Sequence, residues 1–315
     1  MGRCGMKLGP IEDLDAWAAE AREKLEGRPV VASISGGKDS TAMALLLREA
    51  GIPFTNLNLD TGWEHEDTER YVREYLPGII GEIQIAKTDK AEGLGERSIQ
   101  KGIFPSRKMR WCTEELKIIP FARVIKALDE EPVVCIGIRA AESKSRAGMP
   151  VWGERSKAYD CEMWRPIKHW TEQDVISVHN ELGVLPNPLY LRGARRVGCW
   201  PCILCRKSEI RLIADTDPKR IDRIRELERE VGAVHKAKVE ARGETQDQAP
   251  TFFHAKIGKG YWPIDKVVEW SRTSHGGKQF ELFDADQGDE GCMRWGLCET
   301  VADDGDMGWV KEGEK

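Results

Sequence analysis

A turn rich in glycine, lysine and hydroxyl side chains is the first stretch of the sequence whose residue types could do chemistry. It reads Ser35-Gly36-Gly37-Lys38-Asp39-Ser40 and joins the apolar run 30–34 to the helix-forming segment 42–47. This order predicts a strand, a tight turn and a helix N-terminus, where unpartnered N–H groups and the helix dipole favour an anion. Lys38 adds a positive charge and the serines add hydroxyl donors, so the turn suits a polyphosphate. The four-residue spacer of the GxxxxGK[ST] loop is missing.

A run of three cysteines is the second such stretch. Cys199, Cys202 and Cys205 are separated by two residues each, a spacing that lets three thiolates bind one metal centre. The fourth ligand must come from elsewhere in the chain, either from Cys112 or from the tail pair Cys292 and Cys298. Iron–sulfur clusters and structural zinc both accept four thiolates, so ligand chemistry leaves the two open.

Three further observations concern the other cysteines. Cys112 follows a basic stretch that we expect to lower its pKa. Cys135 lies in an apolar run and is predicted to be a small core residue, whereas Cys4 and Cys161 are isolated. Nine cysteines in a chain without a secretory signal indicate metal ligands or reactive thiols before disulfides.

Composition sets the broad class of the protein. The chain has 315 residues, 40% of them apolar, and no apolar run of 18 residues that could span a membrane. Because the N-terminus has no apolar signal segment, we expect a cytoplasmic protein. The net charge of −5 argues against general nucleic-acid binding and leaves room only for a local basic face.

The elements around the turn predict a parallel sheet. Residues 11–26 have helical apolar spacing, 54–59 alternate like a strand, and 82–86 and 133–138 are further strand candidates. A strand–helix–strand order with short connections gives parallel strands, whose carboxyl ends form the ligand edge. Asp60 falls at that edge as a ribose acceptor, a magnesium ligand, or merely the N-cap of a helix over about 64–76. Arg139 follows the strand 133–138, close to the expected nucleotide.

The C-terminal half is predicted to be mainly helical. Thr113 is available as an N-cap, Thr171 and Asp174 form a capping pattern, and Pro218 opens a long amphipathic helix over 217–242. Basic residues flank the cysteine run and could bind nucleic-acid phosphates, or could equally be surface charge that balances acidic neighbours. They are Arg192, Arg195, Arg196, Arg206, Lys207 and Arg211. We divide the chain into an N-terminal helix (1–27), a nucleotide-binding domain (28–185), a cysteine-cluster and helical region (186–275) and an acidic tail (276–315).

Several motifs together resemble a known family. They are Ser35–Ser40, Leu59-Asp60-Thr61-Gly62-Trp63, Arg110-Trp111-Cys112-Thr113 with Lys117 and Pro120, Gly137-Ile138-Arg139 with Glu142 and Arg146, Asn187-Pro188-Leu189-Tyr190 and Gly198–Cys202. Their order over residues 28–210 is similar to that of the PAPS reductase-like branch of the adenine nucleotide α hydrolases, and the first motif resembles the SGGxDS PP-loop of ATP pyrophosphatases. The resemblance implies an α/β fold with a doubly wound parallel sheet and a helical, cysteine-containing C-terminal extension.

The resemblance also implies cofactors and site residues. ATP with Mg²⁺ would contact Ser35, Gly36, Gly37, Lys38, Asp39, Ser40, Asp60 and Arg139, with Lys38 and Asp39 in catalytic roles. Members with this cysteine layout, such as assimilatory APS reductases and the DNA phosphorothioation ATP pyrophosphatase, carry a 4Fe-4S cluster, here on Cys112, Cys199, Cys202 and Cys205. Those reductases pair an early cysteine doublet with a later CxxC, whereas this chain has only Cys112 in the early position.

Three activities fit this family. In the first, ATP activates a substrate oxygen as an adenylate, pyrophosphate leaves, and sulfur from a donor such as a cysteine desulfurase replaces the oxygen on DNA or tRNA. In the second, a thiol such as Cys298, near Trp295, reduces a sulfonucleotide. The third is a sulfate adenylyltransferase subunit, which would leave the cysteine run unexplained. The complete SGGxDS pattern favours the first, because reductases usually lose it.

Overall fold

Two sheets and thirteen helices make up the part of the chain that the structure, a computed structural model, describes: residues 7–156, 159–245, 248–254, 256–257, 260–273 and 295. The strands are β1 Val30–Ser33, β2 Thr55–Asp60, β3 Ile83–Lys87, β4 Val133–Ile136, β5 Trp152–Gly153, β6 Glu162–Trp164, β7 Lys256–Ile257 and β8 Gly260–Tyr261.

The helices are α1 Leu14–Leu25, α2 Lys38–Glu49, α3 Glu66–Arg70, α4 Pro77–Ile80, α5 Leu94–Lys101, α6 Trp111–Thr113, α7 Ile119–Lys126, α8 Lys144–Ala147, α9 Glu172–Glu181, α10 Pro188–Leu191, α11 Lys207–Thr216, α12 Pro218–Glu240 and α13 Ile264–Ser271. Two π-helical segments, Tyr71–Tyr75 and Glu114–Ile118, connect α3 towards α4 and α6 to α7, and Ala140–Glu142 form a 3₁₀ turn. None of the described helices is long and apolar enough to cross a membrane.

The main sheet has the strand order β3-β2-β1-β4-β6-β5. Every neighbouring pair is parallel except β5 with β6 at the edge. From β1 the strand order proceeds through β2 to β3 on one side of the sheet. The chain then crosses to the other side of β1 and continues with β4, so the direction in which strands are added reverses between β1 and β4. In open sheets of this kind ligands bind at that switch point, outside the carboxyl ends of the strands. The predicted parallel α/β sheet is confirmed.

Both faces of the sheet are covered by helices. On one face, α1, α2 and α9 bury apolar side chains such as Leu45, Leu46 and Val175 against Val30 and Ala32. On the other face, α7 packs Phe121 and Ile125 over Val31, Val134 and Met163. Burial on both sides explains why β1 and β4 are continuous apolar runs in the sequence.

A second core lies beside the sheet. It joins the helices α11, α12 and α13 to α5 and α6 and contains the tryptophans Trp63, Trp111 and Trp200. Leu227 and Val231 of α12 are fully buried in it. The cysteine run is therefore packed against residues both from the part of the chain that forms the main sheet and from the helical region.

Several local predictions were close and two were wrong. The cap of Thr171 on Asp174 N and the position of Pro218 at the start of α12 are confirmed. Thr113 is not an N-cap: α6 already begins at Trp111, so Thr113 lies inside a helical segment. Asp60 does not cap the following helix either, because His65 accepts the N–H of Asp67 there.

Candidate active site

The glycine turn leads from β1 into α2 as predicted, and its backbone is shaped to receive an anion. Gly36 has φ +72°, and a Cβ there would lie 2.8 Å from Val72 Cγ2, so glycine is required both for conformation and for space. Within the described ranges, the N–H groups of Gly36, Asp39 and Ser40 have no hydrogen-bond acceptor. Three donors at the positive end of a 12-residue helix are suited to phosphate oxygens.

The two serine hydroxyls hold the turn in shape. Ser40 Oγ donates to Gly37 O (3.0 Å) and accepts the N–H of Ser35 (3.1 Å). Ser35 Oγ lies 3.1 Å from Ser40 Oγ and accepts the N–H of Gly37. Because the single proton of Ser40 Oγ is committed to a carbonyl, Ser35 must be the donor in the contact between the two hydroxyls, so both protons are engaged within the turn.

Lys38 is buried, with only 5% of its surface exposed, and is surrounded by groups distant in sequence. Its Nζ lies 3.2 Å from Glu172 Oε1 and 3.4 Å from Asp39 Oδ2, above the ring of Tyr190. Its backbone N–H donates to Tyr190 OH and its carbonyl lies 3.1 Å from His179 Nε2. The lysine is thus held at the turn by two carboxylates and an aromatic ring.

Arg139 joins the end of β4 to the start of α2. Its guanidinium, in a side chain 5% exposed, is hydrogen-bonded to Asp39 Oδ1. Gly137 allows this approach: a Cβ there would lie 2.7 Å from Asp39 O and from the N and Cα of Ser40. The switch point between β1 and β4 therefore brings the predicted residues Lys38, Asp39 and Arg139 together.

Asp60 lies at the end of β2 within an acidic group. It accepts the N–H of Gly62 (2.8 Å) and pairs with Arg73 (2.9 Å). In the described part of the chain, Asp60, Glu64 and Glu69 are the one set of three or more His, Cys, Asp or Glu side chains whose ligand atoms lie within 4.8 Å of one another. Burial, followed by the charges of Asp60 and Glu64, raises the pKa of Glu69. Carboxylate oxygens are ligands that Mg²⁺ accepts.

Three residues contact the turn, and a fourth packs on two of them, in ways that the sequence did not assign. Asn187 Nδ2 donates to Gly36 O (3.2 Å), and Tyr190 and His179 contact Lys38. Trp295 is buried and packs its ring against both Tyr190 and His179. The motif Asn187–Tyr190 signalled that this segment mattered, whereas nothing in the local sequence marked His179. Cys292 and Cys298 lie outside the described residues.

The cysteine run lies beside the carboxyl end of β2. Thr61 Oγ1 is 3.7 Å from Cys199 Sγ, and Trp200 N donates to Trp63 O. Cys112 and Cys199 both pack against the second core. The described thiols Cys112, Cys199, Cys202 and Cys205 are all free of disulfides, and Cys135 is fully buried in the sheet, as predicted.

Burial and neighbouring charges affect the pKa values of these thiols. The charge of Cys202 raises the pKa of Cys112, Cys199 and Cys205, in each case after burial as the larger cause. The pKa of Lys117 is also raised, and the charge of Cys199 is the largest cause. The prediction of a low pKa for Cys112 is wrong: burial outweighs the lowering effect of Lys117 and Arg110.

Most of the flanking basic residues have partners in the protein. Arg192 pairs with Asp67 (2.6 Å) and Arg196 with Glu209 (2.6 Å). Lys207 and Arg211 donate to the last carbonyls of the α13 region, at Thr273 and Ser271. These contacts favour the second of the two interpretations of these basic residues, in which they are surface charges that balance neighbouring groups instead of binding nucleic-acid phosphates.

Comparison with known proteins places this geometry in a family. The chain is 31% identical over 327 residues to an uncharacterised 37.8 kDa protein of Escherichia phage 186, with 85% of this chain and 96% of that protein covered. It is 28% identical over 207 residues to the adenosine 5'-phosphosulfate reductase of Mycolicibacterium smegmatis, covering 62% of this chain and 80% of the reductase.

A solved phosphoadenylyl-sulfate reductase from Candida auris aligns with 62% of this chain and 98% of its own at 18% identity and a TM-score of 0.46. The model of the phosphoadenosine phosphosulfate reductase domain matches residues 29–205, which include the glycine turn, Arg139 and the three-cysteine run. Since that match covers more than half of the chain, the protein belongs to the phosphoadenosine phosphosulfate reductase domain family.

Proposed function

We propose that the protein is an ATP pyrophosphatase that activates an oxygen atom of a nucleic acid for replacement by sulfur. The observation that carries the proposal is the complete turn Ser35–Ser40 with three unpartnered N–H groups at a helix start. A β,γ-diphosphate leaving group gathers negative charge as its bond to the α-phosphorus breaks, and preorganised donors stabilise that charge.

The proposed reaction has two stages. First, the acceptor oxygen attacks the α-phosphorus of ATP, the bond from that phosphorus to the bridging oxygen breaks, and pyrophosphate leaves with both electrons. A thiol reductant releases sulfide from the persulfide of a donor such as a cysteine desulfurase, forming a disulfide; the sulfide then attacks the activated atom of the acceptor, and AMP leaves with the original oxygen. Lys38 and the N–H groups of Gly36, Asp39 and Ser40 would hold the pyrophosphate, and Asp60 with Glu64 and Glu69 offers carboxylates for Mg²⁺.

We propose that the cysteine group, Cys112, Cys199, Cys202 and Cys205, holds a cluster and not a zinc ion. Tetrahedral zinc with Zn–S bonds of about 2.3 Å requires thiolates about 3.8 Å apart. In the described residues, no three thiols have sulfur atoms that all lie within 4.8 Å of one another. A 4Fe-4S cluster binds its thiolates at separate iron corners and so spaces them more widely. Cys112, Cys199, Cys202 and Cys205 would hold it, and it would supply a polarising or redox centre beside Thr61.

Pyrophosphate release from ATP tests the reaction. We expect release that depends on DNA or tRNA and on Mg²⁺, and a loss of at least tenfold in Lys38→Met, which keeps most of the side-chain stem. Lys126→Met is the matched control, because Lys126 is exposed at the end of α7, which leads to the opposite edge of the sheet. Pyrophosphate release that requires only sulfate, or no ATP cleavage with any acceptor, contradicts the proposal.

Purification without oxygen tests the cluster. We expect a brown protein whose colour is lost in Cys199→Ala and kept in Cys161→Ala, since Cys161 is buried against the far face of the sheet. A colourless protein with one zinc ion per chain contradicts the cluster.

Reduction of a sulfonucleotide is a second candidate, favoured by Trp295. Its buried ring packs beside Tyr190 and His179 at the turn, and Cys298 follows three residues later in the sequence, outside the described residues. Sulfite release from adenosine 5'-phosphosulfate, lost in Cys298→Ser and accompanied by no ATP cleavage, would establish reduction instead of sulfur transfer.

A further inference from the structure

A short basic turn precedes the helix that carries Cys112. The N–H of Ser106 donates to Met109 O (3.0 Å) and the N–H of Met109 donates to Ser106 O (3.2 Å) and to Ser106 Oγ (3.1 Å). These reciprocal bonds close a four-residue turn with Arg107 and Lys108 at its two central positions. Arg110 follows, and its carbonyl accepts the N–H of Thr113 at the start of α6. The turn is therefore fixed in shape and attached directly to the cysteine group.

The cations of this basic turn differ from the other basic side chains nearby. Arg107, Lys108 and Arg110 are exposed, and no ion pair or hydrogen bond engages their side chains anywhere in the described residues. On the adjacent α5, by contrast, Arg97 and Lys101 both pair with Glu115, at 2.6 and 2.8 Å. Three uncompensated positive charges within four residues stand out in a chain whose net charge is −5.

Apolar side chains accompany the charges. Met109 is 52% exposed at the base of the turn, and Leu204, between Cys202 and Cys205, is 39% exposed. Cys112 and Ile203, each close in the chain to one of these apolar residues, both pack against the second core. Exposed cations next to exposed apolar side chains offer contacts both to a phosphate backbone and to the faces of bases.

We propose that the basic turn Arg107–Arg110 is a docking surface for the sugar–phosphate backbone of a nucleic acid. It holds the strand across the cysteine group, with Arg107 and Lys108 each neutralising a phosphate. Because this extends the proposed function, which assigns a nucleic-acid acceptor, the test measures binding without ATP. A failure of pyrophosphate release would then leave the binding result unaffected.

The experiment measures fluorescence anisotropy of a labelled 20-nucleotide single strand and of the matching duplex, from low to moderate salt, with the full chain. Each lost phosphate contact reduces the slope of log affinity against log salt by about 0.7 for a single strand or about 0.9 for a duplex. For Arg107→Ala/Lys108→Ala we therefore expect a slope smaller by about 1.4 to 1.8, and an affinity at ~0.1 M salt lower by about 25-fold or more.

Lys24→Ala/Lys126→Ala is the matched control. It removes the same charge from the ends of α1 and α7, which lead into β1 and β4 at the opposite edge of the sheet. Its affinity and slope should equal those of the wild type. The proposal is overturned if the wild type binds neither oligonucleotide, or if both double variants lose affinity equally. It is also overturned if polyglutamate displaces the oligonucleotide as effectively as unlabelled oligonucleotide does, since the turn would then be a site for an acidic protein.

Discussion

Gly137→Ala should disturb the nucleotide turn from a strand that does not itself belong to the turn. An ideal Cβ at residue 137 lies 2.7 Å from three backbone atoms of Asp39 and Ser40, whereas ordinary contact begins at 3.4 Å. To relieve the overlap, the start of α2 or the end of β4 must move by the difference, about 0.7 Å. The neighbouring atoms are backbone, so no side chain can rotate away. Gly137 has no positive φ, so conformational strain does not contribute.

The size of the effect follows from this overlap. Overpacking of a well-packed interior costs typically 1–3 kcal/mol, and contact with three backbone atoms places Gly137→Ala in the upper half, at about 2–3 kcal/mol of unfolding free energy. The displaced atoms include the N–H groups of Asp39 and Ser40. Because a 1 Å misplacement in an active site can cost about 100-fold in rate, we expect pyrophosphate release to fall by about 10- to 100-fold.

Urea denaturation measures the loss of stability, an assay of pyrophosphate release measures the rate, and nucleotide titration measures ATP binding. Gly78→Ala is the control, because Gly78 lies in helix α4 with no atom within 4 Å of an added Cβ. It should leave binding unchanged and raise stability by about 0.5–1 kcal/mol, as replacement of glycine by alanine does in helices. If Gly137→Ala unfolds at the wild-type urea concentration, or if it is destabilised yet binds ATP as tightly as the wild type, the inferred link between β4 and the turn is refuted.

Three other perturbations have defined outcomes. Arg139→Ala leaves the half-buried carboxylate of Asp39 without its guanidinium and should lower the unfolding free energy by about 3–5 kcal/mol in urea denaturation. Burial lowers the pKa of His179, so the unfolded chain binds a proton more readily; stability is full above about pH 6.5 and is lost as the pH falls below it. His179→Gln should therefore show a smaller difference between urea midpoints at pH 5.5 and 7.5. Thr171→Ala removes the cap on Asp174 N and should cost about 1 kcal/mol, measured by thermal unfolding.

The features predicted correctly from sequence are those that local chemistry decides. The turn between β1 and α2 follows from an apolar run, two glycines and a helix-forming segment that are adjacent in the chain. The cap at Thr171 and the proline at the start of α12 are local for the same reason. Each of these signals lies within about one helical turn of the element that it sets.

The wrong or missing predictions depend on contacts between distant segments. Lys38 was assigned to a phosphate, but its Nζ is also held by Glu172, which is 134 positions away in the sequence. Basic neighbours suggested a low pKa for Cys112, yet burial against the second core raises it. Asp60 pairs with Arg73 instead of capping a helix, because the chain continues for four more residues before His65 caps α3. The hydrophobic periodicity of the sequence carries no information about contacts between segments that are so far apart in the chain.

The balance of charge around Lys38 determines how the turn can attract ATP. Among the described residues, ion pairs at the turn join two cations, Lys38 and Arg139, to two carboxylates, Asp39 and Glu172, so these four side chains together carry no net charge. Attraction must then come from the N–H groups at the start of α2, together with a cation at the neighbouring acidic group of Asp60. Bound Mg²⁺ compensates the negative charge of the phosphates, whereas ATP without the metal has no such compensation. We therefore expect the proposed pyrophosphate release to require Mg²⁺, because these four side chains offer no net positive charge in its place.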